Sequence, residues 1–150
     1  MTTSIQPLLE LKQKINGLGR KKQVALPCTL DLTRSWREIL TRIRAGVNSE
    51  WRMMLQTVDQ PTLLNAYQRE YYVTPDNAVR VTLDFDMIAY DQRLSVRPNS
   101  SARLPMADNV VIEIKTAQAQ LARLEEIAAD FPVLRSRNSK YATGLIVALG

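Results

Sequence analysis

The clearest alternation of hydrophobic and polar positions lies between Leu63 and Asp86, LLNAYQREYYVTPDNAVRVTLDFD. Val, Leu, Tyr and Thr dominate two runs, with the turn cluster Thr74-Pro75-Asp76-Asn77 between them. That pattern predicts two strands and a tight connection. Successive strand side chains point to opposite faces. Arg80, Thr82, Asp84 and Asp86 therefore share one face of the second arm, and Val79, Val81, Leu83 and Phe85 the other. In the first arm Tyr67, Arg69 and Tyr71 fall together. A solvated face more often carries Lys, Glu and Ser.

The remaining patterns fill in the chain around this pair. Residues 5–15 alternate Leu9 and Leu11 against Glu10, Lys12 and Lys14, a strand with a charged face. Asn16-Gly17-Leu18-Gly19 is a hairpin signal, and Arg20 to Leu26 is the return strand, stopped by Pro27. This hairpin crowds Lys12 and Lys14 against some of Arg20, Lys21 and Lys22, which is unfavourable unless something anionic lies among them. Residues 31–46 predict a helix with Asp31 or Thr33 as cap, apolar positions Trp36, Ile39, Leu40 and Ile43, and a stop at Gly46. A shorter helix follows from Asn48 or Ser49, with Trp51, Met54, Leu55 and Val58 apolar. Cys28, Trp36, Trp51, Met53 and Met54 are expected to pack rather than to touch a cofactor. Met87 to Asp108 is expected to be mostly loop, with a short strand at Arg93–Arg97. Asn109 to Thr116 is a strand with Val111, Glu113 and Lys115 on one face. Residues 117–130 predict a helix whose stripe Leu121, Leu124, Ile127 and Ala128 is buried. Arg135 to Tyr141 is polar and strongly basic, with Arg135 and Arg137 expected as surface charges. TGLIVAL, Thr143 to Leu149, suits a strand or a helix.

Composition then narrows the chemistry. A chain of 150 residues is one domain by length and long enough to bury a core. Hydrophobic residues make up 45% and charged residues 23%, ordinary for a globular protein. The excess of 20 Lys and Arg over 15 Asp and Glu leaves a net charge of +5. That favours an anionic partner. The single cysteine, Cys28, excludes an internal disulfide framework. With no histidine, His-based triads, His general bases and His-ligated zinc are all excluded, so a metal would sit on carboxylate oxygens, as Mg²⁺, Mn²⁺ or Ca²⁺ do. No run of about 18 apolar residues is present, and the N-terminus lacks a basic stretch followed by an apolar one. A cytoplasmic location is the expectation. The basic residues lack the aromatic interleaving of a single-strand groove, and no recognition helix is evident, so DNA is not expected as a partner.

Four segments place charges on a single face at a two-residue period: Glu10-x-Lys12-x-Lys14, Tyr67-x-Arg69, Arg80-x-Thr82-x-Asp84 and Glu113-x-Lys115. Several strands pointing charged groups into a common space would do this in a closed or nearly closed antiparallel sheet with a polar interior. Unpartnered charges there are prohibitive, so the filling is water, a polyanion or a divalent cation. Arg and Lys grip phosphate oxygens, and Glu113, with Glu10 or Asp84, could hold a metal. Asp84 and Asp86 are secondary metal-ligand candidates, against the alternative of pairing with Arg80 or its neighbours.

The ordered set Leu9-Glu10-Leu11-Lys12, a basic return strand, Tyr67-Gln68-Arg69, Arg80-Val81-Thr82-Leu83-Asp84, Val111-Ile112-Glu113-Ile114-Lys115 and Ser139-Lys140-Tyr141 resembles the VTC domain. This is the polyphosphate polymerase domain of the triphosphate tunnel metalloenzyme (CYTH-like) superfamily. The resemblance covers the chain from about Leu8 to Gly144. It implies an α+β fold, an antiparallel β tunnel with flanking helices. It also implies transfer of phosphoryl groups from ATP to a growing inorganic polyphosphate chain with Mn²⁺ or Mg²⁺. Carried over motif by motif, Lys12, Lys21, Arg69, Arg80, Lys115 and Lys140 would hold phosphates. Among them Arg69, Arg80 and Lys140 would act at the reacting group, and Glu113 would bind the metal. Arg69 and Arg80 are expected side by side on adjacent strands. A membrane protein partner is compatible with this reading but is not encoded here.

Two departures stand out. The return strand of the family reads K-x-R, whereas here Gln23 follows Lys21-Lys22 where Arg is expected. Family members also begin with further strands before E-x-K, so the tunnel wall is expected to be incomplete. Three functions follow: an ATP-dependent polyphosphate polymerase, another tunnel hydrolase acting on a triphosphate, or a non-catalytic polyphosphate or nucleotide binder.

Overall fold

The computed structural model describes residues 7–15, 18–117, 120–130, 132 and 139–150. They form two compact units, Met1–Pro61 with Gln92–Pro98, and Thr62–Asp91 with Asn99–Gly150. The fold is α+β, with a two-stranded and a three-stranded antiparallel sheet, and among the described residues neither sheet closes into a barrel.

In the first unit β1 (Leu8–Ile15) pairs antiparallel with β2 (Leu18–Ala25), setting Lys12 opposite Lys21 and Glu10 opposite Gln23. Helix α1 (Trp36–Ala45) starts one residue after Ser35, whose hydroxyl accepts from the Glu38 amide while the Glu38 carboxylate accepts from the Ser35 amide. This capping box displaces the expected caps. Asp31 instead closes a local turn by accepting from the amide and hydroxyl of Thr33 at 3.0 and 2.6 Å. Helix α2 (Ser49–Met54) is capped by Asn48 and runs into a 3₁₀ turn at Leu55–Thr57. Leu26, Val47 and Trp51 form a buried cluster on which Leu9, Leu11, Val24, Cys28, Ile43 and Met54 pack. Met53 departs from expectation at 65% exposed. Met53 lies one helical step of about 100° before Met54, which turns it off the stripe that Trp51 and Met54 share.

No strand forms at Arg93–Arg97. Two carbonyls there are spent otherwise: Gln60 Nε2 donates to Ser95 O at 2.7 Å, as it does to the preceding Gln92 O, and the Trp36 amide donates to Val96 O at 2.9 Å. A backbone whose acceptors are satisfied this way has no need of a ladder.

The second unit is a sheet in the order β3–β4–β5, with β3 at Leu63–Val73, β4 at Val79–Asp91 and β5 at Val111–Thr116. The β3–β4 turn holds Asn77 at φ +56°. β4 runs on to Asp91, past the expected end at Asp86, by way of a bulge. Ala66 faces Ile88 but Gln68 faces Phe85, and Asp86 takes φ +51°. The extra residue changes the parity of the strand. Asn65 and Arg69 lie on one face of β3, so their partners Ala89 and Asp84 share a face of β4.

Helix α3 (Leu121–Ala129) has no buried residue, contrary to its expected stripe; Leu124 and Ile127 are half-covered while Leu121 and Ala128 are exposed. TGLIVAL is helical, as most of α4 (Lys140–Leu149), which Ser139 caps by accepting from the Ala142 amide. The helix seats through Gly144, which is buried. A Cβ there would lie 2.6 Å from Leu63 Cδ2 and 3.3 Å from Ala89 Cβ. Gly144→Val is therefore expected to lower unfolding stability by about 2 kcal/mol through overpacking, read as a lower urea midpoint. An unchanged midpoint would mean that α4 does not seat on β3 and β4 at this glycine.

Candidate functional site

The β3–β4 register sets Arg69 against Asp84. Arg69 Nε donates to Asp84 Oδ1 at 2.5 Å and Nη2 to Oδ2 at 2.7 Å, a bidentate fork. Lys140, the first residue of α4, places Nζ 2.5 Å from the same Oδ2. The Asp84 side chain is 0% exposed, while those of Arg69 and Lys140 keep 24% and 22% of their surface. Tyr67 lies under both cations, its ring centre 5.1 Å from Arg69 Cζ and 5.2 Å from Lys140 Nζ, and Tyr71 takes the guanidinium at 5.7 Å. These distances suit cation–π attraction. The Arg69 fork, and after it the Lys140 ammonium, hold the Asp84 carboxyl down to about 2 against the opposing effect of burial. Asp84 in turn raises the Arg69 guanidinium above its ordinary range.

Along β4 and β5, Thr82 faces Glu113, Arg80 faces Lys115 and Asp84 faces Val111. Lys115 Nζ sits 3.1 Å from Glu113 Oε1, with both side chains in contact with solvent. Arg80 is exposed and lies opposite Val73 on β3. Arg69 and Arg80 are thus not side by side. The register separates them by four strand positions, about 13 Å at the usual rise per residue. The Thr82 hydroxyl oxygen is buried without a hydrogen-bond partner among the described residues.

Other expectations change partners. Asp84 pairs with Arg69 and Lys140 rather than Arg80. Asp86, turned by the bulge, accepts from Gln68 Nε2 at 2.8 Å. Gln68 belongs to the opposite set from Tyr67 and Arg69 on β3, so Asp86 does not join Asp84 as a carboxylate pair. Among the described residues no group of three Asp, Glu, Cys or His side chains could hold a metal. Glu113 lies across the ladder from Thr82, with Lys115 as its partner.

On the β1–β2 hairpin, Glu10 is the anion that the crowded lysines required. It lies 2.6 Å from Lys21 Nζ and 3.0 Å from Lys12 Nζ, and accepts from Gln23 Nε2 at 2.5 Å. Lys21 first and Lys12 next lower its carboxyl to about 2. Gln23 thus spends its amide on Glu10. Lys22 turns to Glu50 of α2. The side chains of Lys14, Arg135 and Arg137 lie outside the described residues.

The alternation along the strands puts Arg69, Arg80, Glu113 and Lys115 on one face but does not mark Asp84 as the residue that joins Arg69 to Lys140. The alternation Arg80-x-Thr82-x-Asp84 was the available signal; nothing local marks the partner 56 positions on. Among the described residues no helix is long and apolar enough to cross a membrane. Comparison with curated proteins and with solved structures gives no match. The family model described as the VTC domain matches residues 2–149, nearly the whole chain. The chain therefore belongs to the VTC domain family.

Proposed function

We propose that this protein grips inorganic polyphosphate and the phosphates of ATP, and transfers phosphoryl groups from ATP to the growing chain. The observation that carries the reading is the pair Arg69 and Lys140, both partly exposed and both fixed on one buried carboxylate. Arg80 and Lys115 extend the same charged face. Phosphoryl transfer asks little covalent work of a protein. It asks for aligned phosphates and neutralised charge, which fixed guanidinium and ammonium groups supply without histidine. Arg69, Arg80 and Lys140 would bear on the reacting phosphate, with Lys115 as a further phosphate ligand beside them, and Lys12 and Lys21 would hold phosphate on the β1–β2 hairpin.

A divalent ion fits only in a limited way. Mg²⁺ and Mn²⁺ are commonly held by one or two carboxylates and complete their shell with phosphate oxygens and water. Glu113 supplies one such carboxylate on this face. Mn²⁺ or Mg²⁺ bound there would neutralise charge between adjacent phosphates. A cytoplasmic location belongs to the same proposal.

The second reading is a binder without turnover. It is favoured by the Glu10 carboxylate, which engages both Lys12 and Lys21 and halves the charge they offer a phosphate. Incubation with ATP and Mn²⁺, followed by gel electrophoresis, is expected to show phosphate chains much longer than ATP supplies. Salt-sensitive polyphosphate binding with no chain growth supports the binder instead. Release of orthophosphate from triphosphate without chains points to a tunnel hydrolase.

A further inference from the structure

We infer that Asp84 is the positioning residue of the phosphate grip, the group that holds the Arg69 guanidinium and the Lys140 ammonium at a fixed spacing. The inference deepens the function proposed above and rests on it. Asp84 itself is fully buried and so is out of reach of a ligand. Its two oxygens are divided between the cations: Oδ1 accepts from Arg69 Nε, and Oδ2 from Arg69 Nη2 and Lys140 Nζ. Arginine carries five N–H donors and lysine three. Two of the first set and one of the second go to Asp84, so each cation keeps donors for another acceptor. The Tyr67 ring, beneath both, restricts them from a second side.

Position and charge make opposite predictions here. Arg69 and Lys140 bring two positive charges and Asp84 one negative. If Asp84 merely diluted the charge, removing it would tighten polyanion binding. If it sets the spacing, removing it lets two long side chains spread over many rotamers, and the grip weakens although its net charge rises. A role confined to holding α4 on the sheet would lower stability and leave the affinity of the folded protein unchanged.

The test compares the affinity of the full chain for inorganic triphosphate by calorimetry, in wild type, Asp84→Asn and Asp84→Glu, with circular dichroism confirming that each is folded. Asp84→Asn removes the charge in nearly the same shape. Asp84→Glu keeps the charge and moves both cations by one methylene, a shift large enough to cost roughly tenfold in a positioned site. Roughly tenfold weaker binding in both folded variants is the expected result. Equal or tighter binding by folded Asp84→Asn overturns the positioning role and leaves the phosphate-binding reading standing. Should Asp84→Asn not fold, Asp84→Glu decides alone: weaker binding supports the role, and wild-type affinity overturns it. Wild type that binds no triphosphate overturns the functional reading, and this inference with it.

Discussion

Arg69→Met is expected to lower the unfolding free energy by about 3 kcal/mol at neutral pH, the usual scale for stripping one partner from a buried charge pair. Asp84 is fully buried and takes both of its short Arg69 bonds through the fork that methionine lacks. Lys140 remains but supplies a single point contact at one oxygen. The loss carries a pH signature. Asp84 sits at about 2 in the folded protein against an ordinary 3.8. A carboxyl lowered on folding contributes stability that is fully present above its unfolded value and is lost as pH falls through its folded value. The contribution here is about 2 kcal/mol on the scale of one pKa unit per 1.4 kcal/mol. Urea titrations should therefore show the gap between wild type and Arg69→Met at full size above about pH 4, narrowing toward pH 2. A gap constant over that range would mean that Arg69 contributes by packing on Tyr67 and Tyr71 and not through the Asp84 charge.

The charged face of the β3–β4 pair was legible because two signals agreed. The period-two pattern assigned Arg69, Arg80, Asp84 and Tyr67 to faces, and the Thr74–Asn77 cluster located the turn. Register was not legible. It depends on the bulge at Asp86; aspartate tolerates the left-handed backbone there, but inside an alternating strand it reads equally well as an ordinary polar position. Without the bulge, parity past Phe85 reads wrongly, and the continuation Met87 to Asp91 looks like loop. The TGLIVAL run was ambiguous for another reason. Its helical state is tied to a seat for Gly144 between Leu63 and Ala89, a contact between segments far apart in the chain. The crowded lysines of the hairpin call for an anion among them, and Glu10, itself within the strand, is that anion.

Glu113→Gln separates the metal from the grip and has the largest expected effect on turnover. Glu113 faces Thr82 across the β4–β5 ladder, keeps 42% of its side-chain surface, and touches Lys115 at 3.1 Å. Glutamine keeps the shape and loses the charge. Lys115 then loses its carboxylate partner, and the face gains one net positive charge. Triphosphate binding without metal should accordingly hold or tighten. Turnover has the opposite dependence, because the ion that would neutralise the reacting phosphates loses the carboxylate proposed to hold it. A drop of about a hundredfold in polyphosphate synthesis from ATP is expected, the scale of removing one electrostatic stabiliser from a phosphoryl or acyl transfer site, with a higher Mn²⁺ concentration needed for half-maximal rate. Synthesis at the wild-type rate across the Mn²⁺ titration would remove Glu113 from the metal site. Loss of triphosphate affinity in step with turnover would assign it instead to holding Lys115 in place, because a carboxylate that serves only the metal has no reason to matter when the metal is absent.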